Sequence, residues 1–504
     1  MQKVRLDMLM RTAGVILLCA LAATGAPASS RTAFAAGAPQ HCRERDNDTV
    51  AKLEACIQQG ELMGELAQFQ KIADDNPGPT GHGNRDTGTP GYLASVNHVA
   101  GLMRRAGYTV AVQPYTYSTS EVIGSPQFAA AGRAYSLESD WYVARLSGAG
   151  TLTAAVAPPS GAPTGCAAVD FAGFAPGNVA LIERGDCAFD VKVANARAAG
   201  SAAVVLYNAE GGEAYEARLT EPASIPVVGV TTHELGAELL LQYLAGTAPT
   251  VRLDIRTQRR SGTDYNLIAD SPYGNPNQLV IVEGHLDSIY GAGMLDNASG
   301  STTMLDVALN LAKTPTTNRL RYIWFGGEEL GLLGSHYYTR HLTAAQLAQI
   351  AFDVDVDVVA TPNFDYLVAD PEYASNVEHF PSNVVPESKL GNDLFAAAFQ
   401  RQGVVSQPAR FGNDGTDSNS FSLVGVPDSG VLTNQDCCKR RWETAIWGGY
   451  LGNYEGLIPS FNGGCVDYPH RWCDNLYNND PAVFELVSKV VADVTLNLAE
   501  TTFP

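Results

Sequence analysis

The chain has little of what would tie it to a membrane or to nucleic acid. The apolar stretch near its start, Ala13 to Ala23, is too short to span a bilayer, and no later run is long and apolar enough either. Positive charge is scarce: 33 Lys and Arg stand against 53 Asp and Glu, a formal net charge of −20. That balance argues against nucleic acid or an anionic membrane as partner, because both are bound through basic patches. Cysteines never fall in the two-plus-two spacing of a zinc knuckle. Internal repeats and low-complexity tracts are also missing, which argues against a solenoid or a disordered linker protein.

What is present begins with an export signal. Lys3, Arg5 and Arg11 precede the apolar stretch, and Ala26-Pro27-Ala28 or Ala33-Phe34-Ala35 follow as small-residue cleavage sites. Residues 1–35 are therefore expected to be a signal peptide, and Leu18 before Cys19 is too bulky for lipoprotein cleavage. The mature chain is expected to be secreted or periplasmic, soluble and monomeric. With Cys19 set aside, an even number of cysteines remains, as an oxidising compartment predicts. Cys42/Cys56, Cys166/Cys187 and Cys465/Cys473 are local pairs by spacing, and the adjacent Cys437 and Cys438 are left unassigned. The mature length, about 470 residues, exceeds one typical domain, so a catalytic domain with an addition is expected.

The chemistry concentrates in residues 280–300, VIVEGHLDSIYGAGMLDNASG. An apolar, β-branched run from Leu279 to Val282 suits a strand buried on both faces. It ends in His285-Leu286-Asp287, where Asp287 can orient the imidazole and raise its basicity. Past a Gly-rich turn comes Asp296-Asn297, feeding a helix through Met304, Leu305, Ala308 and Leu309. Taken alone, His285 reads as a satisfied core histidine and Asp296 as a helix cap. The next stretch changes that reading. Leu320 to Phe325 is a second strand, and it ends in Gly326-Gly327-Glu328-Glu329. Adjacent glutamates are costly to bury unless a cation or a metal-activated water compensates them. A third strand, Val354 to Val359, carries Asp357. Ligands of open α/β sheets collect outside the carboxyl ends of the strands, and here three strands bring His, Asp and Glu to that edge. Asp353 and Asp355 share the strand face of Asp357, so extra negative charge near the site is expected as one reading, with a solvated edge for these two as the alternative.

Elsewhere, Leu62, Leu66, Phe69 and Ile72 mark one helix face, and Leu93, Val96, Val99 and Met103 mark another, stopped at Gly107. His82 and Arg85, in the loop between these helices, read as surface residues. Asp480-Pro481 caps a C-terminal helix. Residues 146–254 differ in texture, with short β-like runs at 178–183, 203–207 and 225–230, a helix over 186–196, and no cluster of metal ligands. Cys166, Ile182-Glu-Arg-Gly-Asp-Cys-Ala-Phe189 and Val204-Val-Leu-Tyr-Asn208 resemble a protease-associated (PA) domain, a β-rich insert that implies a lid or substrate-access role.

The motifs together resemble the secreted bacterial di-zinc aminopeptidases and their vacuolar relatives. They are Gly284-His-Leu-Asp-Ser288, Asp296-Asn-Ala-Ser-Gly300, Gly326-Gly-Glu-Glu-Leu-Gly331, Asp357 with Thr361-Pro-Asn363, and the region of His470. The resemblance implies an α/β, three-layer mixed-sheet zinc exopeptidase domain (36–145 and 255–504) around the PA insert (146–254). It further implies two Zn2+ per chain bridged by Asp296, with His285 and Asp357 completing one site and Glu329 and His470 the other. Glu328 is the implied general base, and peptides with a free N-terminus the substrates. Asp417 is placed behind the ligands. Pro469 stands where secreted members often have a Tyr that steadies the oxyanion, and Tyr468 is one residue earlier. No basic cluster suits a carboxypeptidase, a glutaminyl cyclase would use one zinc, and a non-catalytic binding protein would be expected to have lost ligands.

Overall fold

Two sheets organise the protein. The computed structural model describes residues 41–503 apart from 79–80, 131, 138, 209–213, 215, 218, 220, 290, 371–380, 411–414, 436–438 and 455–473. Residues 1–35, Cys437, Cys438, Cys465, Tyr468, His470 and Cys473 thus lie outside the described residues.

The larger sheet has eight strands, in the order Thr109–Val122, Thr257–Asp270, Asn318–Phe325, Asn275–His285, Ile350–Val356, Asp428–Leu432, Leu367–Asp370 and Gln407–Arg410. The four central strands are parallel, with antiparallel neighbours on either side. Parallel strands need helices over both faces, and so read as continuous apolar runs. The alternation of side chains then sorts them into two layers. Val280, Val282, Leu320, Tyr322, Trp324, Val354 and Val356 join the larger core with residues of the Gln59–Asp75, Pro90–Ala106, Ala298–Leu311 and Pro481–Glu500 helices. Leu279, Ile281, Ile323 and Phe325 face the other way, onto Tyr338 of the Leu333–Arg340 helix and Phe421 of the short Ser418–Ser422 helix. The result is a three-layer α/β domain.

The helix expectations are met in their signals. Gly107 ends its helix at φ +101°, and the Asp480 side chain accepts from the Ala482 and Val483 amides ahead of the Pro481–Glu500 helix. Leu93 differs: it is 42% exposed rather than part of the buried face.

The smaller sheet runs Arg133–Tyr135, Gln127–Ala130, Thr250–Ile255, Gly150–Ala157, Val179–Glu183, Ala203–Tyr207 and Val227–Thr231. It has a core of its own around Phe128, Trp141, Val205 and Leu253. The β-like runs of this region are the strands Val179–Glu183, Ala203–Tyr207 and Val227–Thr231, and the helix is Phe189–Ala198. Gln127–Ala130 and Arg133–Tyr135 also belong to this sheet, although they precede the change in composition near residue 146. Strands of four and three residues are too short to show a period. The long strands Thr109–Val122 and Thr257–Asp270 pair along their whole length. The chain therefore leaves for the smaller sheet and returns from it side by side. Cys42 is joined to Cys56 and Cys166 to Cys187. Among the described residues, no helix is long and apolar enough to cross a membrane.

Candidate metal centre

His285 is the last residue of its strand and is 1% exposed. Its Nδ1 lies 3.1 Å from the Asp287 carbonyl oxygen and 3.5 Å from Asp287 Oδ1. A proton on Nδ1 serves that carbonyl and leaves the Nε2 lone pair pointing away from it. Nε2 faces three carboxylates: Asp296 Oδ1 at 3.0 Å, Asp357 Oδ1 at 3.4 Å and Glu328 Oε2 at 4.0 Å. One donor atom each from His285, Asp296 and Asp357 lie within 4.8 Å of one another.

Asp296 does not cap the helix that follows it. Asn297 does so, accepting from the Gly300 amide at 2.9 Å. The same side chain donates to the Val356 carbonyl at 2.9 Å and accepts from the Val358 amide at 3.2 Å. It thereby ties the helix start to the end of the neighbouring strand. Gly300 permits the approach, since a Cβ there would sit 2.1 Å from the Val356 oxygen. Val358 has φ +51°, a conformation a β-branched residue adopts only under constraint. The Asn297 bond and a 2.7 Å bond from the Thr433 amide to the Val358 carbonyl hold it there, so that Asp357 sits beside His285.

Two buried residues fix the loop between His285 and Asp296. The Arg85 guanidinium, fully buried, donates to the carbonyls of Leu286, Ala292 and Gly293, each at 2.7 Å. Burial lowers its pKa to about 10, against the pull of Asp474 and Asp287, and it stays charged at neutral pH. Arg85 is therefore not the surface residue expected from its turn-rich setting; its partners are some two hundred positions away in sequence. Asp474 accepts from the Leu295 amide at 2.6 Å and the Asp296 amide at 3.1 Å. Sequence reasoning passed over Asp474, whose one signal is its place just beyond the His470 region.

The Glu328–Glu329 turn follows the next strand. Gly327 has φ +71°, and a Cβ there would lie 2.8 Å from the Tyr115 hydroxyl, so the turn requires glycine. The Glu328 amide donates to Asp287 Oδ1 at 3.3 Å, and the Thr87 hydroxyl to Asp287 Oδ2 at 2.7 Å. Asp287 thus joins the histidine to the glutamate turn. Both glutamates are buried, at 5% and 7% exposure.

The electrostatics of this edge favour positive charge. Burial by itself would lower the His285 pKa, but Asp357, Glu328, Asp287 and Asp296 outweigh it, and the net shift is well upward. Below the site the same sheet face carries Glu283, Asp353, Asp355 and Asp428, with Asp417 opposite, all nearly or fully buried. Of the two readings of Asp353 and Asp355, the structure favours added negative charge beneath the site over a solvated edge, because the Ser418–Ser422 and Leu333–Arg340 helices cover that face. Burial first, then a like charge, pushes Glu283 (beside Asp355), Asp353 (beside Asp428) and Asp355 (beside Asp357, with a Thr416 hydrogen bond opposing) well up; for Asp417 it is burial and then Glu328.

The structure brings His285, Asp287, Asp296, Glu328, Glu329, Asp357 and Asp417 to one edge of the sheet. Residues 266–495 match the model described as peptidase family M28, and residues 149–239 match the PA domain. An aminopeptidase of Pseudomonas aeruginosa (strain UCBPP-PA14) is 30% identical over 478 residues, covering 90% of this chain and 83% of that one. A probable lipoprotein aminopeptidase LpqL of Mycobacterium tuberculosis is 30% identical over 401 residues, covering 77% and 76%. Among solved structures, an aminopeptidase from Aneurinibacillus sp. strain AM-1 superposes with a TM-score of 0.68 at 20% identity, over 90% of this chain and 97% of that one. A zinc aminopeptidase from Bacillus subtilis gives 0.54 at 23% identity, over 88% and 96%. The chain belongs to peptidase family M28 and carries a PA domain within it.

Proposed function

We propose that this protein is an exported metallo-aminopeptidase that removes N-terminal residues from peptides with a pair of zinc ions and a glutamate base. It is a zinc-dependent exopeptidase of the aminopeptidase type, in keeping with its family and its relatives. The observation that carries the metal reading is the convergence of His285, Asp296 and Asp357 at the carboxyl ends of two parallel strands and the start of the helix between them. A tetrahedral zinc with bonds of 2.0–2.2 Å spaces its ligands about 3.3–3.6 Å apart, close to the 3.0 and 3.4 Å separations from His285 Nε2. Asp357 Oδ1 is buried without a hydrogen bond among the described residues, an arrangement a cation would compensate. In this reading His285 and Asp357 would help hold one ion, Glu329 and His470 the other, and Asp296 would serve both. His470 enters on the sequence motif alone.

The bound zinc pair would supply Lewis acidity, polarising the scissile carbonyl and making water acidic enough to attack at neutral pH. The protein's own part is to place charge and move protons. Asp287 keeps the His285 ring in one orientation through its carbonyl and carboxylate. Glu328 takes a proton from the attacking water and returns it to the leaving amine. Its amide bond to Asp287 ties that base to the histidine. Against two dications the three ligand carboxylates would leave a single positive charge, which an attacking hydroxide would neutralise, limiting the cost of desolvating the site. We divide the chain into a catalytic domain (36–145 and 255–504) and the insert (146–254), with residues 127–135 lending two strands to the insert's sheet. Export agrees with the two disulfides.

Glu328→Gln is the direct test. It should lower kcat roughly a thousandfold while zinc measured by elemental analysis stays near two per chain. Unchanged turnover would remove Glu328 from the mechanism. Cleavage of N-blocked dipeptides but not of aminoacyl p-nitroanilides would overturn the aminopeptidase assignment.

A further inference from the structure

The two disulfides differ in their surroundings. Cys42 and Cys56 are buried, whereas Cys166 and Cys187, in the insert, are only half-buried. Lys192, on the Phe189–Ala198 helix, is fully buried, and its ammonium lies between the two ends of the insert's bridge. Nζ donates to the Thr164 carbonyl at 2.7 Å and the Gly185 carbonyl at 2.6 Å, and it stands 3.6 Å from Cys166 Sγ. We propose that Cys166 and Cys187 are a reversible dithiol–disulfide site, open to exchange with thiols in the surroundings, in which Lys192 holds the pair together and stabilises Cys166 as the thiolate.

Two observations carry it. First, the covalent bond is not what keeps these two segments together. Thr164 and Gly185 each stand two positions before a cysteine of the pair, so Lys192 ties the same segments that the sulfurs tie. The Thr164 hydroxyl also donates to Asp186 Oδ2 at 2.9 Å, the Glu183 amide to the Pro163 carbonyl at 2.9 Å, and Asn195 Nδ2 to the Gly165 carbonyl at 3.0 Å. A disulfide stabilises mainly by restricting the unfolded chain; in the folded insert these bonds keep both sulfurs within reach after reduction. Second, the bridge is polarised. Exchange needs access to one sulfur and is faster when the other leaves as a stabilised thiolate, and a neighbouring lysine ammonium stabilises a thiolate. Burial lowers the Lys192 pKa to about 8, with Asp186, Glu183 and Asp170 opposing the fall, and at neutral pH most of the protein carries the charge. An external thiolate therefore attacks Cys187 Sγ. The S–S bond breaks, Cys166 leaves with the electron pair beside the ammonium, and a mixed disulfide forms on Cys187. A second external thiolate attacks the outer sulfur of that mixed disulfide, and Cys187 leaves and takes up a proton. Two external thiols are thus oxidised to their disulfide while the protein pair gains the same two electrons, and an external disulfide reverses the sequence. Cys56 also has a cation near it, Arg45 Nη2 at 3.2 Å, but there neither sulfur is open to attack.

The test exposes the full chain at neutral pH to reduced glutathione, then alkylates, digests and reads each cysteine by mass spectrometry. Cys166 and Cys187 should be reduced at a rate roughly tenfold above Cys42 and Cys56, and oxidised glutathione should restore the bridge. The reduced protein should keep the amides of Val179–Glu183 and Ala203–Tyr207 protected from hydrogen exchange. The trapped mixed disulfide should carry glutathione on Cys187. In Lys192→Met reduction of this pair should slow roughly tenfold. Equal rates for the two pairs, failure to reoxidise, or loss of amide protection on reduction would overturn the reversible site. Glutathione on Cys166, or an unchanged rate in Lys192→Met, would overturn the role of Lys192. The position of glutathione decides that role in the wild type if the variant does not fold.

Discussion

The two faces of the larger sheet are made by the same strands and behave as different materials. On one face Val280, Val282, Leu320, Tyr322, Trp324, Phe352, Val354 and Val356, from three of the parallel strands, meet a deep helical layer and are apolar. On the other face Leu279 and Ile281 give way to Glu283 and His285, and Asp353 and Asp355 lead to Asp357, while Ile323 and Phe325 of the strand Asn318–Phe325 stay apolar. One face gains stability from burial at about 25 cal/mol per Å². The other gives part of that up to hold charge where a cation and a substrate amine would need it. A register slip of one residue would exchange the two sets, so the apolar face also fixes where the acids point.

The sharpest way to separate the faces is to remove one side chain from each. His285→Ala should abolish peptidase activity by at least a thousandfold and lower zinc content, while far-UV circular dichroism stays that of the folded chain. Arg85→Ala lies between the faces in kind. It leaves three buried carbonyls without their donor, at roughly 1–3 kcal/mol for each before relaxation. The expected loss is about 4 kcal/mol, with weaker zinc retention under competing chelator, and Arg85→Lys should restore only a fraction of both because an ammonium cannot reach three divergent carbonyls. Leu320→Ala, on the apolar face and 1% exposed, should cost about 3 kcal/mol in denaturant unfolding and leave kcat and zinc content unchanged. If Leu320→Ala altered kcat as strongly as His285→Ala, the division of labour between the faces would be wrong.

These contrasts explain what could be read from the chain beforehand. The strand ends were legible because buried parallel strands leave an unmistakable β-branched run and the chemistry sits just past it, as at Val282 to Asp287 and Ile323 to Glu329. Asp296 was legible as part of a motif, but its neighbour's part was not. Asn297, not Asp296, caps the helix, and a sequence shows which residues suit a cap without showing which one turns toward it. Arg85 and Asp474 were invisible for another reason. Their partners are backbone groups about two hundred positions distant, and a backbone carbonyl has no residue identity to betray it. Asp353 and Asp355 left two readings open because acids usually mark solvent, and the two helices that cover them are too short to announce which face they take.

A smaller effect should distinguish the faces in the opposite direction. Asp353 is fully buried with neither oxygen hydrogen-bonded among the described residues. Asp428 beside it repels it most among the charged groups. Asp353→Asn removes that repulsion and offers an N–H donor to the neighbouring carboxyls, and should stabilise by roughly 1–2 kcal/mol, read as a rise in Tm. A loss of stability would mean that Asp353 holds its neighbours together, through a shared proton, rather than straining against them.

The smallest expected effect is on pH dependence, and it reaches both faces. Asp264 lies on the strand side that includes Ile268, and burial pushes its pKa up to about 7, with Asp287 adding to the rise and the Gly88 and Tyr265 amides opposing it. Asp306 lies on the Ala298–Leu311 helix of the apolar layer, and burial raises it to about 7 as well, against Arg43 at 3.4 Å. Each carboxyl holds its proton more tightly when folded than when unfolded, where it titrates near 3.8. The stability each contributes is thus fully present below about pH 4 and is lost as pH rises through about 7. A rise of three units sets a ceiling of roughly 4 kcal/mol per group, and water entry with local relaxation should leave about 1 kcal/mol between pH 5 and pH 8. Denaturant unfolding of Asp264→Asn and Asp306→Asn should each flatten the decline over that window by part of this amount. The Asp306 share should be the smaller, since Arg43 remains to pair with the ionised form. A steeper decline in either variant would mean that the ionised carboxylate, held by its donors, is the form the fold prefers.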